Sequence, residues 1–370
     1  MQTIKRLAGL ALTLFALLSA AAQPSLAIAI ETPARVWDEP FERADLLLFS
    51  THADDEHLYF AGILPYAVAN GIRAQVVYMV NHDNHPARNA ERENGLWEAG
   101  VRNLPVVGPF PDKYSESLEE AIEGYARAGY CEDDFVAFCV ENIRRFKPLV
   151  VVGHDVNGEY GHGGHMLSAA SLMKAVWLSG DESYGPESIE AYGAWDPPKT
   201  YVHLWEENGI YIDIDSPLDY FNGLSAFNVS QNAFAHHKTQ HWTGFYRWLY
   251  GTEEQPIASA SQIRRYSPAR YGLYRSTVGD DPEGAADFYS NVTLIKDADG
   301  WDSVPEEPDW EEEKNDSSEE PAAGDNETFN EVPSESAETG LNSENGFNGE
   351  NGFENVENFT EDEIMYSEEN

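Results

Sequence analysis

The sequence predicts an α/β protein, a Rossmann-like and mostly parallel sheet flanked by helices, and three observations carry that reading. Leu46 to Phe49 is a short, continuously apolar run, as expected of a strand buried on both faces, and it stops abruptly at Thr51-His-Ala-Asp-Asp-Glu56. Leu149 to Val152 repeats the pattern and is cut off by Gly153-His-Asp-Val-Asn-Gly-Glu-Tyr-Gly-His-Gly-Gly-His165. Between them, strand-like and helix-like segments alternate, the arrangement of a doubly wound sheet. In such sheets ligands bind outside the carboxyl ends of the strands, so both polar clusters fall where chemistry is expected.

The elements follow in order. Gly62 to Asn70 has helical composition and stops at Gly71, a natural left-handed cap. Ala74 to Val80 reads as the second strand. Pro86 to Ala99 reads as a helix that starts with proline and ends at Gly100, with Arg88 and Glu91 three residues apart as a surface pair. Leu104 to Val107 is a short strand, Leu118 to Ala126 a helix, and Phe135 to Phe146 an amphipathic helix closed by Lys147-Pro148. After Leu149 to Val152 come a helix over Ser168 to Trp177 and strands over Thr200 to Leu204 and Ile210 to Ile214. A mostly helical stretch from Leu218 to Gln240 and a last strand at Tyr271 to Arg275 follow, with order expected to about Trp301.

Both ends differ from this middle. Met1 to Arg6 is charged and Leu7 to Ala22 apolar, the signature of a secretory signal. The expected organisation is a signal over 1–29, a catalytic-sized domain over 30–302 and an acidic low-complexity tail over 303–370. The protein is expected to be secreted or extracytoplasmic, with no stable membrane insertion once the signal is cleaved. The tail holds 23 acidic residues against Lys314 alone, contributing −22 of the chain's −42. Such a segment cannot offset its ordering entropy by burial. Strong net negative charge excludes nucleic acid as a partner, because phosphate contacts need clustered Lys and Arg. Two cysteines, Cys131 and Cys139, exclude a disulfide-dense scaffold and a four-cysteine zinc site; whether they pair is open.

His52, Asp54, Asp55, His162 and His165 are side chains that hold metal or move protons. His52 and Asp55, and again His162 and His165, are three residues apart, so each pair can face one point while Asp54 points elsewhere. A catalytic divalent site needs about three protein ligands and an open position, and two imidazoles with one carboxylate meet that need. The same triad also suits ferrous iron. Taken singly, acidic residues in a first helical turn are commonly structural, a lone HxxH is a weak signal, and the remaining histidines, including His57, His82, His154, His203 and His237, read as surface or hydrogen-bonded.

Together the two clusters resemble the LmbE-like, or PIG-L, N-acetylglucosaminyl deacetylases. The family's first motif, roughly (A/P)HPDDE, is similar to Thr51–Glu56, and its second, roughly GxYGHxxH, to Gly158–His165. The likeness runs from about Asp45 to Val292. It implies an LmbE-like fold, with His52, Asp55 and His165 as ligands of zinc, or of ferrous or another divalent ion. Asp54 would be the general base and His162 the stabiliser of the tetrahedral intermediate. Tyr160 and, more weakly, Arg88 would contact substrate. The implied activity is hydrolysis of the acetamide of an N-acetylglucosamine-type sugar or glycoconjugate to free amine and acetate, by metal-activated water. Two departures stand out. Ala53 replaces the usual proline, and Gly163-Gly164 replace a Pro-Asp whose aspartate orients the first histidine, so His162 needs another partner, with Asp155 or Glu159 as candidates. The missing aspartate also admits a catalytically silent carbohydrate-binding or surface protein as the alternative.

Overall fold

A computed structural model of the protein describes residues 35–298, apart from 242. The expected signal, most of the boundary region before residue 35 and the tail lie outside the described residues.

Seven strands form one sheet in the order β3-β2-β1-β4-β5-β7-β6. Strands β1 (Leu46–Ser50), β2 (Ala74–Asn81), β3 (Val106–Pro111), β4 (Val150–Gly153) and β5 (Lys199–His203) run parallel, while β7 (Arg270–Ser276) lies antiparallel between β5 and β6 (Gly209–Tyr211). The chain winds outward from β1 through β2 to β3, then returns to the other side of β1 with β4. That reversal makes the β1/β4 boundary the topological switch point, where a crevice opens beyond the carboxyl ends of both strands.

Central strands explain the continuous apolar runs. Leu46, Leu47, Leu48 and Phe49 are each 2% exposed or less because helices cover both faces. One face packs Leu47, Phe49, Val77, Met79 and Val151 against α3 (Leu118–Arg127), α4 (Glu132–Phe146) and α5 (Gly163–Leu178). On the other, α1 (Ile63–Ala69), α2 (Pro86–Glu98) and α6 (Ala226–Phe234) pack together. Local chemistry sets their ends: α2 starts at Pro86, the Ser117 hydroxyl accepts from the Glu120 amide at 3.2 Å to cap α3, and α4 stops at Lys147, left-handed before Pro148. Cys131 is exposed at the start of α4, Cys139 is buried within it, and both thiols are free.

Two expectations are corrected and one is refined. The third strand runs over Val106–Pro111 rather than Leu104 to Val107; it is an edge strand, so Pro109 and Pro111 are tolerated, and its end delivers Asp112 to the crevice. Leu218 to Gln240 is helical in three short pieces: left-handed Asn222 and Gly223 interrupt it, Ala226–Phe234 is its α-helix, capped by Ser225, and Asp219–Phe221 and Lys238–Gln240 are 3-10 turns. Helix α5 begins at Gly163, five residues earlier than expected, which places His162 at its N-cap and His165 in its first turn. Among the described residues no helix is long and apolar enough to cross a membrane.

Candidate active site

The turn after β1 and the turn before α5 meet across the switch point. His52 Nδ1 lies 3.1 Å from Asp55 Oδ2 and 3.1 Å from His165 Nε2, and His165 Nε2 lies 3.2 Å from that same Asp55 oxygen. Three ligand atoms thus form a near-equilateral triangle at the floor of a cleft of about 670 Å³, whose lining includes Tyr59, Tyr114, Tyr160 and Phe245.

The donor set fits a divalent cation. Each histidine turns its remote nitrogen to a carboxylate: His165 Nδ1 is 2.7 Å from Glu159 Oε2, and His52 Nε2 is 3.5 Å from Asp112 Oδ1. Metal-bound histidines characteristically have such partners, which fix the tautomer and aim the other lone pair. The electrostatics agree. Burial works against the charged forms of these histidines, yet Asp55 and the second-line carboxylates outweigh it, raising His52 to about 10 and His165 to about 9. The pocket is built around a positive charge. His154 is excluded as a ligand although its ring lies 4.2 Å from that of His165: its Nε2 accepts from the Thr51 amide at 2.9 Å, and its Nδ1 donates to Glu159.

Asp54 stands apart from the triangle. Its φ of +147° is one that residues other than glycine rarely adopt, and it turns the carboxylate away from the Asp55 oxygen and toward Arg88, whose Nη2 is 3.3 Å from Asp54 Oδ1. Burial raises the Asp54 carboxyl, Arg88 pulls it down, and the result is a pKa of about 7. A group so poised can take a proton at neutral pH and return it. His162 closes the other side, its ring 4.9 Å from that of His52 and 4.7 Å from that of His165. Its Nδ1 is buried without a hydrogen-bond partner. Burial and the two neighbouring histidines hold its pKa well below the ordinary value, so the ring is neutral and can serve as an N–H donor. Tyr160, left-handed at φ +51°, lies in the cleft wall with its ring 5.4 Å from His162 and 4.8 Å from Phe245.

No family model matches the chain. It is 38% identical over 119 residues to 1D-myo-inositol 2-acetamido-2-deoxy-alpha-D-glucopyranoside deacetylase 2 of Saccharopolyspora erythraea, covering 31% of this chain and 42% of that one. Over 181 residues it is 37% identical to the corresponding deacetylase 1 of Catenulispora acidiphila, covering 42% of this chain and 54% of that one. Over these segments the chain is similar to deacetylases of that name. It spans about half the length of the curated relatives it matches. Among solved structures, the N,N'-diacetylchitobiose deacetylase from Pyrococcus horikoshii aligns with a TM-score of 0.43 at 16% identity, over 63% of this chain and 85% of that one, a likeness too loose to bear on function.

Against the LmbE-like pattern, the departures at Ala53 and Gly163 acquire physical reasons. Ala53, where proline is usual, keeps an N–H that donates to His82 Nε2 at 3.2 Å, a bond proline could not make. Gly163 sits against the Ser115–Ser117 turn; a Cβ there would lie 2.0 Å from the Ser117 carbonyl oxygen, and its amide donates to the Ser115 carbonyl at 2.8 Å. Neither proline nor any larger residue fits. The expected partner for His162 is corrected: Glu159 instead receives His154, His165 and His203, each within 2.9 Å, while Asp155 accepts from the Asn157 amide. His154 and His203, read as surface or hydrogen-bonded, are buried parts of that network.

The Arg88–Glu91 pair is also corrected. Arg88 bridges Asp54 and Asp112, with Nη1 3.2 Å from Asp112 Oδ2, and donates to the Ala53 carbonyl; Glu91 instead accepts from the amide and hydroxyl of Thr239. Asp112 is the functional residue that sequence reasoning missed. It faces His52, His82 and Arg88 together, and His52 chiefly, against the effect of burial, holds its carboxyl well below the ordinary range.

Proposed function

We propose that this chain is a divalent-metal-dependent N-deacetylase, zinc being the preferred ion, which hydrolyses the acetamide of an N-acetylglucosamine-type sugar to free amine and acetate. The observation that carries this reading is the division of labour between adjacent aspartates: Asp55 joins the triangle with His52 and His165, while Asp54 lies outside it with a pKa near 7. The deacetylase names of the matched relatives support the reaction class. The apolar run from Leu7 to Ala22 supports an exported enzyme.

A divalent ion held by His52, Asp55 and His165 would supply the Lewis acid that makes water a nucleophile near neutral pH and polarises an amide carbonyl. The chain's own residues do the rest. Asp54 takes a proton from the attacking water, whose oxygen bonds to the carbonyl carbon, and delivers it to the nitrogen as the C–N bond breaks. Arg88 holds Asp54 oriented and its pKa low enough to accept that proton at neutral pH. His162 presents a neutral N–H to the oxyanion that develops on the carbonyl, a charge absent from the ground state. Tyr59, Tyr160 and Phe245 offer aromatic faces to the sugar ring. The catalytically silent alternative is not favoured, because base, ligand set and their carboxylate partners are all present.

The test is free-amine release from a panel of N-acetylated sugars and glycoconjugates by purified protein, before and after chelation and after adding zinc back. Chelator-sensitive release that zinc restores supports the proposal. A protein that binds zinc yet releases amine from no acetylated sugar overturns it.

A further inference from the structure

Next to the catalytic turn, among residues that do not line the cleft, lies a second convergence of ligand atoms. Glu56 Oε1 is 3.5 Å from His57 Nε2 and 3.9 Å from His237 Nε2, and all three residues are fully buried. None of these atoms has a hydrogen-bond partner, nor does either histidine's Nδ1. Tyr78, its hydroxyl also buried and without a well-formed hydrogen bond, faces the same carboxylate. Buried polar atoms are almost always satisfied, so six orphans in one cluster call for a missing group.

The space for that group is built in. Gly95, within helix α2, faces the cluster: a Cβ there would come within 2.8 Å of both His57 Nε2 and His237 Nε2. Glycine in a helix interior is unfavourable relative to alanine, and here its lack of a side chain keeps the point between the two rings open. His237 is itself fixed, since Thr239 two residues on donates through its amide and hydroxyl to Glu91 of α2.

We infer that Glu56, His57 and His237 bind a second divalent metal ion of the zinc class, separate from the ion of the catalytic cleft. Two imidazole nitrogens and one carboxylate oxygen are the donors such an ion takes, and complete burial marks the site as structural rather than catalytic. The Tyr78 hydroxyl or an enclosed water would complete the shell. The site also acts on the catalytic turn, because the other Glu56 oxygen accepts from the Asp54 amide at 2.9 Å, so the ion would clamp the strained backbone that presents the general base.

Metal content measured on the full-length protein, stripped by chelator, loaded with Zn²⁺ and desalted, tests this. Wild type should retain two ions per chain, the His52→Ala/His165→Ala variant one, and the His57→Gln/His237→Gln variant one. Gly95→Ala, whose added methyl fills the space between the rings on a helix that favours alanine, should also hold one and guards against the double variant failing to fold. Co²⁺ bound to the His52→Ala/His165→Ala protein should give the visible absorption of a histidine- and carboxylate-ligated ion. One ion in wild type that is lost from the His52→Ala/His165→Ala variant, or two ions in both Gly95→Ala and the His57→Gln/His237→Gln variant, would overturn the inference. Because the two sites are emptied by different substitutions, failure here is distinguishable from failure of the proposed catalytic site.

Discussion

Replacing Arg88 by methionine keeps the stem and removes the charge, and the structure predicts how the pH profile responds. The guanidinium lies 3.3 Å from Asp54 Oδ1, and both side chains are little exposed, at 13% and 9%. At an effective dielectric of about 20, a full charge pair at that distance is worth about 5 kcal/mol, an upper bound because Arg88 is shared with Asp112. Arginine beside an aspartate ordinarily lowers its pKa by about 1 to 3 units, equivalent to about 1.4 to 4 kcal/mol. Arg88→Met should therefore move Asp54 from about 7 to roughly 8 to 10. The deprotonated fraction at neutral pH then falls by about 5- to 500-fold, and the lost rate returns as the pH is raised. Deacetylation kcat/KM measured against pH on both proteins reads the displacement of the acid limb, and that difference survives whatever offset a bound ion adds to both. An acid limb that stays in place while KM rises would show that Arg88 contacts the sugar instead and that its bridge to Asp54 is incidental.

Three further outcomes are expected. His52→Ala, Asp55→Ala and His165→Ala should lose the catalytic ion by elemental analysis, whereas Asp54→Ala keeps it and loses about 10²- to 10⁴-fold in turnover; His162→Ala also keeps it and loses about 10²- to 10³-fold, mainly in kcat. Glu159→Gln should weaken the catalytic site's metal affinity by about 10- to 100-fold in a competition titration, because an amide cannot accept from three histidines. It should also flatten the acid dependence of stability: burial opposes the Glu159 charge, but His154 and His165 hold its pKa well below the ordinary value, so its stabilisation is complete above that value and lost as the pH falls toward the folded one, visible in urea midpoints. Gly163→Ala should cost about 1 to 3 kcal/mol or more in urea unfolding, since the new Cβ meets the Ser117 carbonyl oxygen at 2.0 Å; an unchanged midpoint would mean that the turn yields freely.

What the sequence made legible was whatever rests on local pattern. The apolar runs at Leu46 and Leu149 marked central strands because burial on both faces leaves no room for alternation, and their abrupt polar ends marked the crevice. Residue spacing brought His52 with Asp55, and His162 with His165, into reach of one another. Contacts set by the third dimension were not legible. Helical periodicity paired Arg88 with Glu91, but the crevice offered Arg88 two carboxylates and α6's following loop offered Glu91 a threonine. Asp112 follows a proline-rich edge strand with no cluster around it in the sequence, and becomes notable only when β3 lies two strands from β1. Likewise Glu159 stood one residue before a motif tyrosine, and nothing in the chain order signals that three histidines converge on it.

The positive φ at Asp54 sets folding and chemistry against each other at a single residue. A backbone held where glycine alone is comfortable costs on the order of 1 to 3 kcal/mol, and that cost is borne whether or not a substrate is present. Drift at position 54 therefore has a thermodynamic slope: glycine relaxes the turn, and only the need for a carboxylate opposes the change. A lineage released from selection on turnover would be expected to lose this aspartate early and keep the neighbouring Asp55, yielding a scaffold that still captures metal but no longer uses it.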